Sequence, residues 1–142
     1  MTNTSAANSD AKPQLYACLR YADADRAIEL LTALGFTESL VVRDQEDPSI
    51  VHHAQFRWRD NGGIMFGSKR EDDKGVQTSL NHVAACCNIV VPSDADVDRV
   101  LAAARPFGEV TQEPHHPDHG GRSALLVDFE GNLWNIDSYP GE

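Results

Sequence analysis

Two stretches of this chain follow one plan, and that repetition limits the folds open to it more than any other feature. In LYACLRYADADRAIELLTALGF an apolar, strand-like run passes at Asp23 into a helical pattern. Ala24, Ala27, Ile28 and Leu31 fall at i, i+3, i+4 and i+7, Asp23 can cap the amino end, and Gly35 can end the helix. AACCNIVVPSDADVDRVLAAARPFG repeats the order: a strand, a cap at Ser93 or Asp94, then Val97, Val100, Leu101 and Ala104 on one helical face, closed by Pro106 and Gly108. The Asp-Ala-Asp at 23 to 25 and again at 94 to 96 sets the repeat offset at 71 residues.

Three strand candidates follow each helix. They are 36–43, 50–59 and 63–68 in the first half, with DNGG as a hairpin signal, and 108–113, 122–128 and 132–138 in the second. The chain therefore reads β-α-β-β-β twice and belongs to the α+β class. At 142 residues it suffices for one domain but not for two independent ones. The expected division is a disordered tail at 1–13 and a single domain at 14–142, with module one at 14–69, a polar linker at 70–82 and module two at 83–140.

The net charge of −10 opposes binding to nucleic-acid phosphates or anionic lipid. No apolar run approaches the ~18 residues that would cross a bilayer. MTNTSAANSDAKPQ has neither the basic nor the apolar region of a signal peptide, so the expected location is the cytoplasm. Cys18, Cys86 and Cys87 lie in apolar strand-like segments and are expected to be buried, reduced thiols. His115, His116 and His119, in EPHHPDHGG, read as a solvated Pro/Gly loop rather than a metal site.

The segments YADADRAIELLTALGF, VHHAQFRWRDNGGIMF and above all GGRSALLVDFEGNLWNIDSYP resemble the vicinal oxygen chelate superfamily, which includes glyoxalases, bleomycin-resistance proteins and extradiol dioxygenases. With the repeat, the resemblance covers residues 14 to 140. It implies two tandem βαβββ modules forming curled mixed sheets around a cleft, a small-molecule ligand and a homodimer. In metal-dependent members a His or Gln lies seven residues before the strand-end Asp, and a Glu lies four beyond the Gly of the D-x-x-G turn. Those places fall here on Tyr16, on Cys87 through the repeat offset, and on Asn135. An amide oxygen substitutes poorly for an anionic ligand, and a phenol must lose a proton of pKa about 10, so neither metal nor cofactor is expected.

The strand period of two then selects the cleft side chains. Asn135 inward brings Leu133 and Asp137 with it; Tyr16, Cys18 and Arg20 share a face of the first strand. In VHHAQFRWR the more apolar set, His52, Ala54, Phe56 and Trp58, goes to the helix side and leaves His53, Gln55 and Arg57 for the cleft. The expected ligand-binding residues are Tyr16, Arg20, His53, Arg57 and Asn135, under a loop at 114–121. The expected function is metal-free binding of a small molecule, sequestering an antibiotic or metabolite, and the acidic charge suits a cationic one. The alternative is a metal-dependent or acid–base enzyme of the same superfamily, a lyase, isomerase or dioxygenase, with a group such as His53 as base.

Overall fold

The computed structural model describes residues 12–69 and 83–142. The linker at 70–82, and all of the expected tail except Lys12 and Pro13, lie outside the described residues. Module one comprises β1 (Ala17–Tyr21), α1 (Ala24–Leu34), β2 (Thr37–Arg43), β3 (Val51–Trp58) and β4 (Gly62–Ser68). Module two comprises β5 (Cys86–Val90), α2 (Asp94–Ala104), a 3-10 turn (Arg105–Phe107), β6 (Gly108–His115), β7 (Ser123–Asp128) and β8 (Leu133–Asp137). The sheet orders are β1-β4-β3-β2 and β5-β8-β7-β6. The pairs β1/β4 and β5/β8 are parallel and the remaining neighbours antiparallel, so each module carries one curled, mixed four-stranded sheet.

Local chemistry sets the helix limits. Asp23 Oδ1 accepts the Arg26 N–H at 3.1 Å, and Ser93 Oγ accepts that of Asp96 at 3.3 Å, each satisfying an orphan donor of the first turn. Gly35, at φ 112°, closes α1 by donating to the carbonyls of Leu31 and Thr32, in a conformation that glycine adopts without strain. The caps Asp23 and Ser93 are 70 residues apart, as are the buried pairs Leu19 and Ile89, Ala27 and Val97, and Leu31 and Leu101. The offset is therefore 70 rather than the 71 suggested by Asp-Ala-Asp. Helix entry is fixed by the cap, and Asp94 is already the first helical residue.

The two helices and the helix-facing sides of both sheets form one core. Leu30, Leu31, Leu34, Phe56 and Phe66 of module one meet Val97, Leu101, Leu126, Trp134 and Ile136 of module two. Burying a large apolar side chain of this kind stabilises the fold by roughly 1.5–3 kcal/mol. Polar bonds cross the seam as well. Tyr21 Oη donates to Asp128 Oδ2 at 2.7 Å, and Trp58 Nε1 donates to the Val90 carbonyl at 3.1 Å, which occupies part of the otherwise free edge of β5.

The cysteine expectation needs correction. Cys18 and Cys86 are exposed and Cys87 is half-buried. Leu19 and Tyr21 on β1, and Ile89 on β5 with Val91 just beyond it, occupy the helix-facing positions, so the strand period turns Cys18 and Cys86 outward. All three are free thiols.

Candidate functional site

Each sheet has an open face turned away from the helices, and strand register brings specific side chains together there. Across the middle of module one, Cys18 is opposite Met65, Met65 opposite Gln55, and Gln55 opposite Leu40. The equivalent row of module two is Asn88, Asn135, Leu125 and Gln112. In the second row a one-way chain of hydrogen bonds runs along the sheet. Ser123 Oγ donates to Asn135 Oδ1 at 2.7 Å, and Asn135 Nδ2 donates to Asn88 Oδ1.

Four of the five expected ligand residues belong to module one. Ala54 and Phe56 are buried toward the helices, so β3 has the expected phase and turns Gln55 and Arg57 to the open side. The Tyr16 ring lies over Gly63, where a Cβ would come within 2.5 Å of Cε1, and Gly63 is the register partner of Arg57. Arg20 is buried, its Nη1 donating to the Ser68 carbonyl at 2.8 Å across Gly67. His53 Nε2 lies 2.9 Å from Gln55 Nε2. His52, placed with the apolar set from sequence, is exposed and pairs instead with Asp44 at 2.9 Å. Asn135 belongs to the other sheet.

With the offset at 70, the metal-ligand places of the resembled superfamily fall on Tyr16, just before β1, on Cys86 of β5, and on Met65 of β4 and Asn135 of β8. Cys87, the residue expected from the longer offset, points into the core, and burial pushes its thiol up to about 11. Phenol, thiol, thioether and amide form a poor donor set for a divalent ion. The Asn135 amide is moreover committed at both ends, to Ser123 and to Asn88. Among the described residues no group of three or more His, Cys, Asp or Glu side chains could hold a metal. The residues present do not fit the superfamily's metal centre.

The histidine segment is partly strand: β6 continues through Pro114 to His115, which is opposite Ser123. His116 Nδ1 donates to the Gly121 carbonyl at 3.0 Å, and the His119 ring meets Tyr139 edge-on, with centroids 5.0 Å apart. Arg122 grips both carboxylate oxygens of Asp98 on α2, at 2.8 and 3.0 Å, which holds the segment's far end against the helix.

A cavity of about 330 Å³ opens at the seam between the modules, with Phe36, Trp58, Ile64, Cys87, Asn88 and Ile89 among its walls. None of the five expected residues lines it. Sequence reasoning missed Asn88 altogether. The available signal was the helix cap: aligning Ser93 with Asp23 places Asn88 at the position of Cys18 and beside Asn135.

No family model and no curated protein matches the sequence. Solved structures do. TioX from Micromonospora sp. ML1 is 24% identical, with a TM-score of 0.65 over 87% of this chain and 97% of its own. A glyoxalase/bleomycin resistance protein/dioxygenase family enzyme from Burkholderia phytofirmans PsJN is 16% identical, with a TM-score of 0.66 over 86% and 94%. The bleomycin resistance determinant encoded on the transposon Tn5 is 18% identical, with a TM-score of 0.57 over 92% and 98%. The chain has the vicinal oxygen chelate fold, and these likenesses each cover 86% or more of it.

Proposed function

We propose that this chain is a metal-free small-molecule-binding protein of the bleomycin-resistance type, acting as a cytoplasmic homodimer that sequesters its ligand. The observation that carries this reading is the committed amide of Asn135. Where metal-dependent relatives place a carboxylate, this chain has a side chain bonded to Ser123 and Asn88. The acid–base alternative draws less support, because the Nε2 of His53 already faces the Gln55 amide. The open face of module one supplies Tyr16, Arg20, His53 and Arg57, and that of module two supplies Asn135. A dimer that sets one chain's first face against its partner's second would join them into one cleft. The three free thiols agree with a reducing compartment.

Elemental analysis after dialysis tests the metal-free claim, and stoichiometric zinc, nickel, manganese or iron would refute it. Light scattering tests the dimer. Mass spectrometry of small molecules carried through native purification identifies the ligand. Arg57→Ala should then weaken its binding by about 1.5–3 kcal/mol if the ligand accepts a charge-assisted hydrogen bond there.

A further inference from the structure

We propose that the cavity at the seam between the modules is a second ligand site, shaped for a small, uncharged aromatic molecule bearing one hydrogen-bond acceptor. It borrows Cys86 and Asn88 from the open face of module two, but none of Tyr16, Arg20, His53, Arg57 and Asn135 lines it. Phe36 and Trp58, with ring centroids 5.0 Å apart, form one wall, and Ile64 and Ile89 contribute aliphatic surface from the two sheets. Because Trp58 Nε1 is bonded to the Val90 carbonyl, the indole offers the cavity ring surface rather than a donor. Leu15, 84% exposed, stands at the lip.

The polar recognition element is Asn88. Ser123 donates to Asn135 and Asn135 to Asn88 Oδ1, so the chain of bonds holds the Asn88 oxygen toward β8. Among the described residues nothing accepts from its Nδ2, and β5 is an edge strand with the cavity along it. An aromatic guest can therefore rest on Phe36 and Trp58 while its acceptor meets the Asn88 amide. The net charge of −10 selects against a carboxylate and favours a neutral carbonyl.

A second cavity of about 380 Å³ shares Trp58, Asn61, Gly62 and Asn88 with the first and adds Arg59 and Asp60, giving room for a polar substituent. A Cβ at Gly62 would stand 3.0 Å from the Trp58 Cβ, so the bare glycine lets Trp58 pack against this turn. Arg59, the one non-glycine residue at positive φ (51°) among those described, turns the chain here and donates to the Val90 carbonyl at 3.2 Å.

The probe is prodan, an uncharged aminonaphthalene ketone with solvent-sensitive emission. Titration of the whole protein should give saturable binding of one dye per chain, with blue-shifted emission and energy transfer from tryptophan. Asn88→Leu keeps the volume, removes the donor and should weaken binding roughly 3- to 10-fold, the range of one neutral hydrogen bond. Ala17→Leu, filling the cavity from β1, should weaken it at least as much. Leu125→Arg, on the open face, should leave it unchanged. Circular dichroism melts establish that each variant is folded. Absence of saturable binding would overturn the proposal, as would equal affinity in the parent, Asn88→Leu and Ala17→Leu. Loss of binding in Leu125→Arg alone would move the dye to the open face and overturn it too. None of these outcomes depends on the metal content or native ligand of the open faces, so the two readings fail separately.

Discussion

The helix-facing interior and the open faces of the two sheets share the same 70-residue repeat, yet they have kept different amounts of it. Inside, apolar answers apolar: Leu19 and Ile89, Ala54 and Ala124, Phe56 and Leu126, Phe66 and Ile136. Outside, Cys18 becomes Asn88, Met65 becomes Asn135 and Gln55 becomes Leu125. A close-packed interior penalises changes of volume or polarity, whereas an open face answers only to what it binds. The interior breaks the repeat at Tyr21, where module two has Val91, and at Trp58, where it has Asp128. Those are the residues that bond across the seam. Two of the interior's departures from the repeat thus build the interlock between modules, and divergence outside marks the faces available for recognition.

The largest test of that contrast is Asp128→Ala. The Asp128 carboxylate accepts from Tyr21 Oη and Trp134 Nε1 and from the backbone N–H groups of Glu130 and Asn132, and the residue is 4% exposed. Several buried donors would lose their acceptor together, at a cost of about 3–5 kcal/mol, read by urea denaturation. A loss below about 1 kcal/mol would mean the interlock contributes little. Trp58→Ala comes next. Trp58 is half-buried rather than enclosed, so truncation should cost about 2–3 kcal/mol, short of the full value for a buried Trp. Because Trp58 also walls the seam cavity, the same variant should lose prodan binding.

Tyr21→Phe removes a single bond and should cost about 1.5 kcal/mol at neutral pH. It should also change the alkaline limb of stability. Burial, then the charge and hydrogen bond of Asp128, hold the Tyr21 phenol far above the ordinary tyrosine range. The folded chain keeps a proton that the unfolded chain releases near pH ~10, so this contribution is whole below that pH and falls as pH rises beyond it. Denaturation midpoints between neutral and strongly alkaline pH should fall less steeply for Tyr21→Phe than for the parent. An identical alkaline slope in both would show that Tyr21 does not titrate on unfolding.

Much of the fold was legible because its signals are local. Asp23, Gly35 and Pro106 bound the helices, DNGG marks the β3–β4 turn, and period-two alternation separates Ala54 and Phe56 from Gln55 and Arg57. The open-face phase followed from the same alternation. What could not be read were matters of two elements meeting. That Trp58 reaches Val90, that Tyr21 finds Asp128, and that Asn88 completes the chain from Ser123 depend on how the sheets pack. The cysteines misled because apolar surroundings in sequence do not say which face of a strand a residue takes. The one-residue error in the repeat had a different cause: identity of letters, Asp-Ala-Asp, was given more weight than the chemistry of capping.

That error supplies the smallest and most pointed test. If the offset were 71, Asp94 would be the counterpart of Asp23 and would cap α2. At 70 the cap is Ser93, whose hydroxyl accepts the Asp96 N–H at 3.3 Å and donates to the Asp96 carboxylate at 2.8 Å, each residue supporting the other. Asp94 is instead the first helical residue, exposed, with its Oδ1 accepting from Ser138 Oγ at 2.7 Å. Asp23→Ala and Ser93→Ala should each cost about 1 kcal/mol, the usual loss for a deleted cap. Asp94→Ala should cost less, about 0.5 kcal/mol, from a weaker charge–dipole interaction and an exposed hydrogen bond whose donor, Ser138 Oγ, keeps the Arg122 carbonyl within reach. Thermal melts of the three variants under one buffer decide the matter. If Asp94→Ala proved the costlier change in α2, the letters would have been right and the alignment of the two modules, including the pairing of Cys18 with Asn88, would shift by one residue.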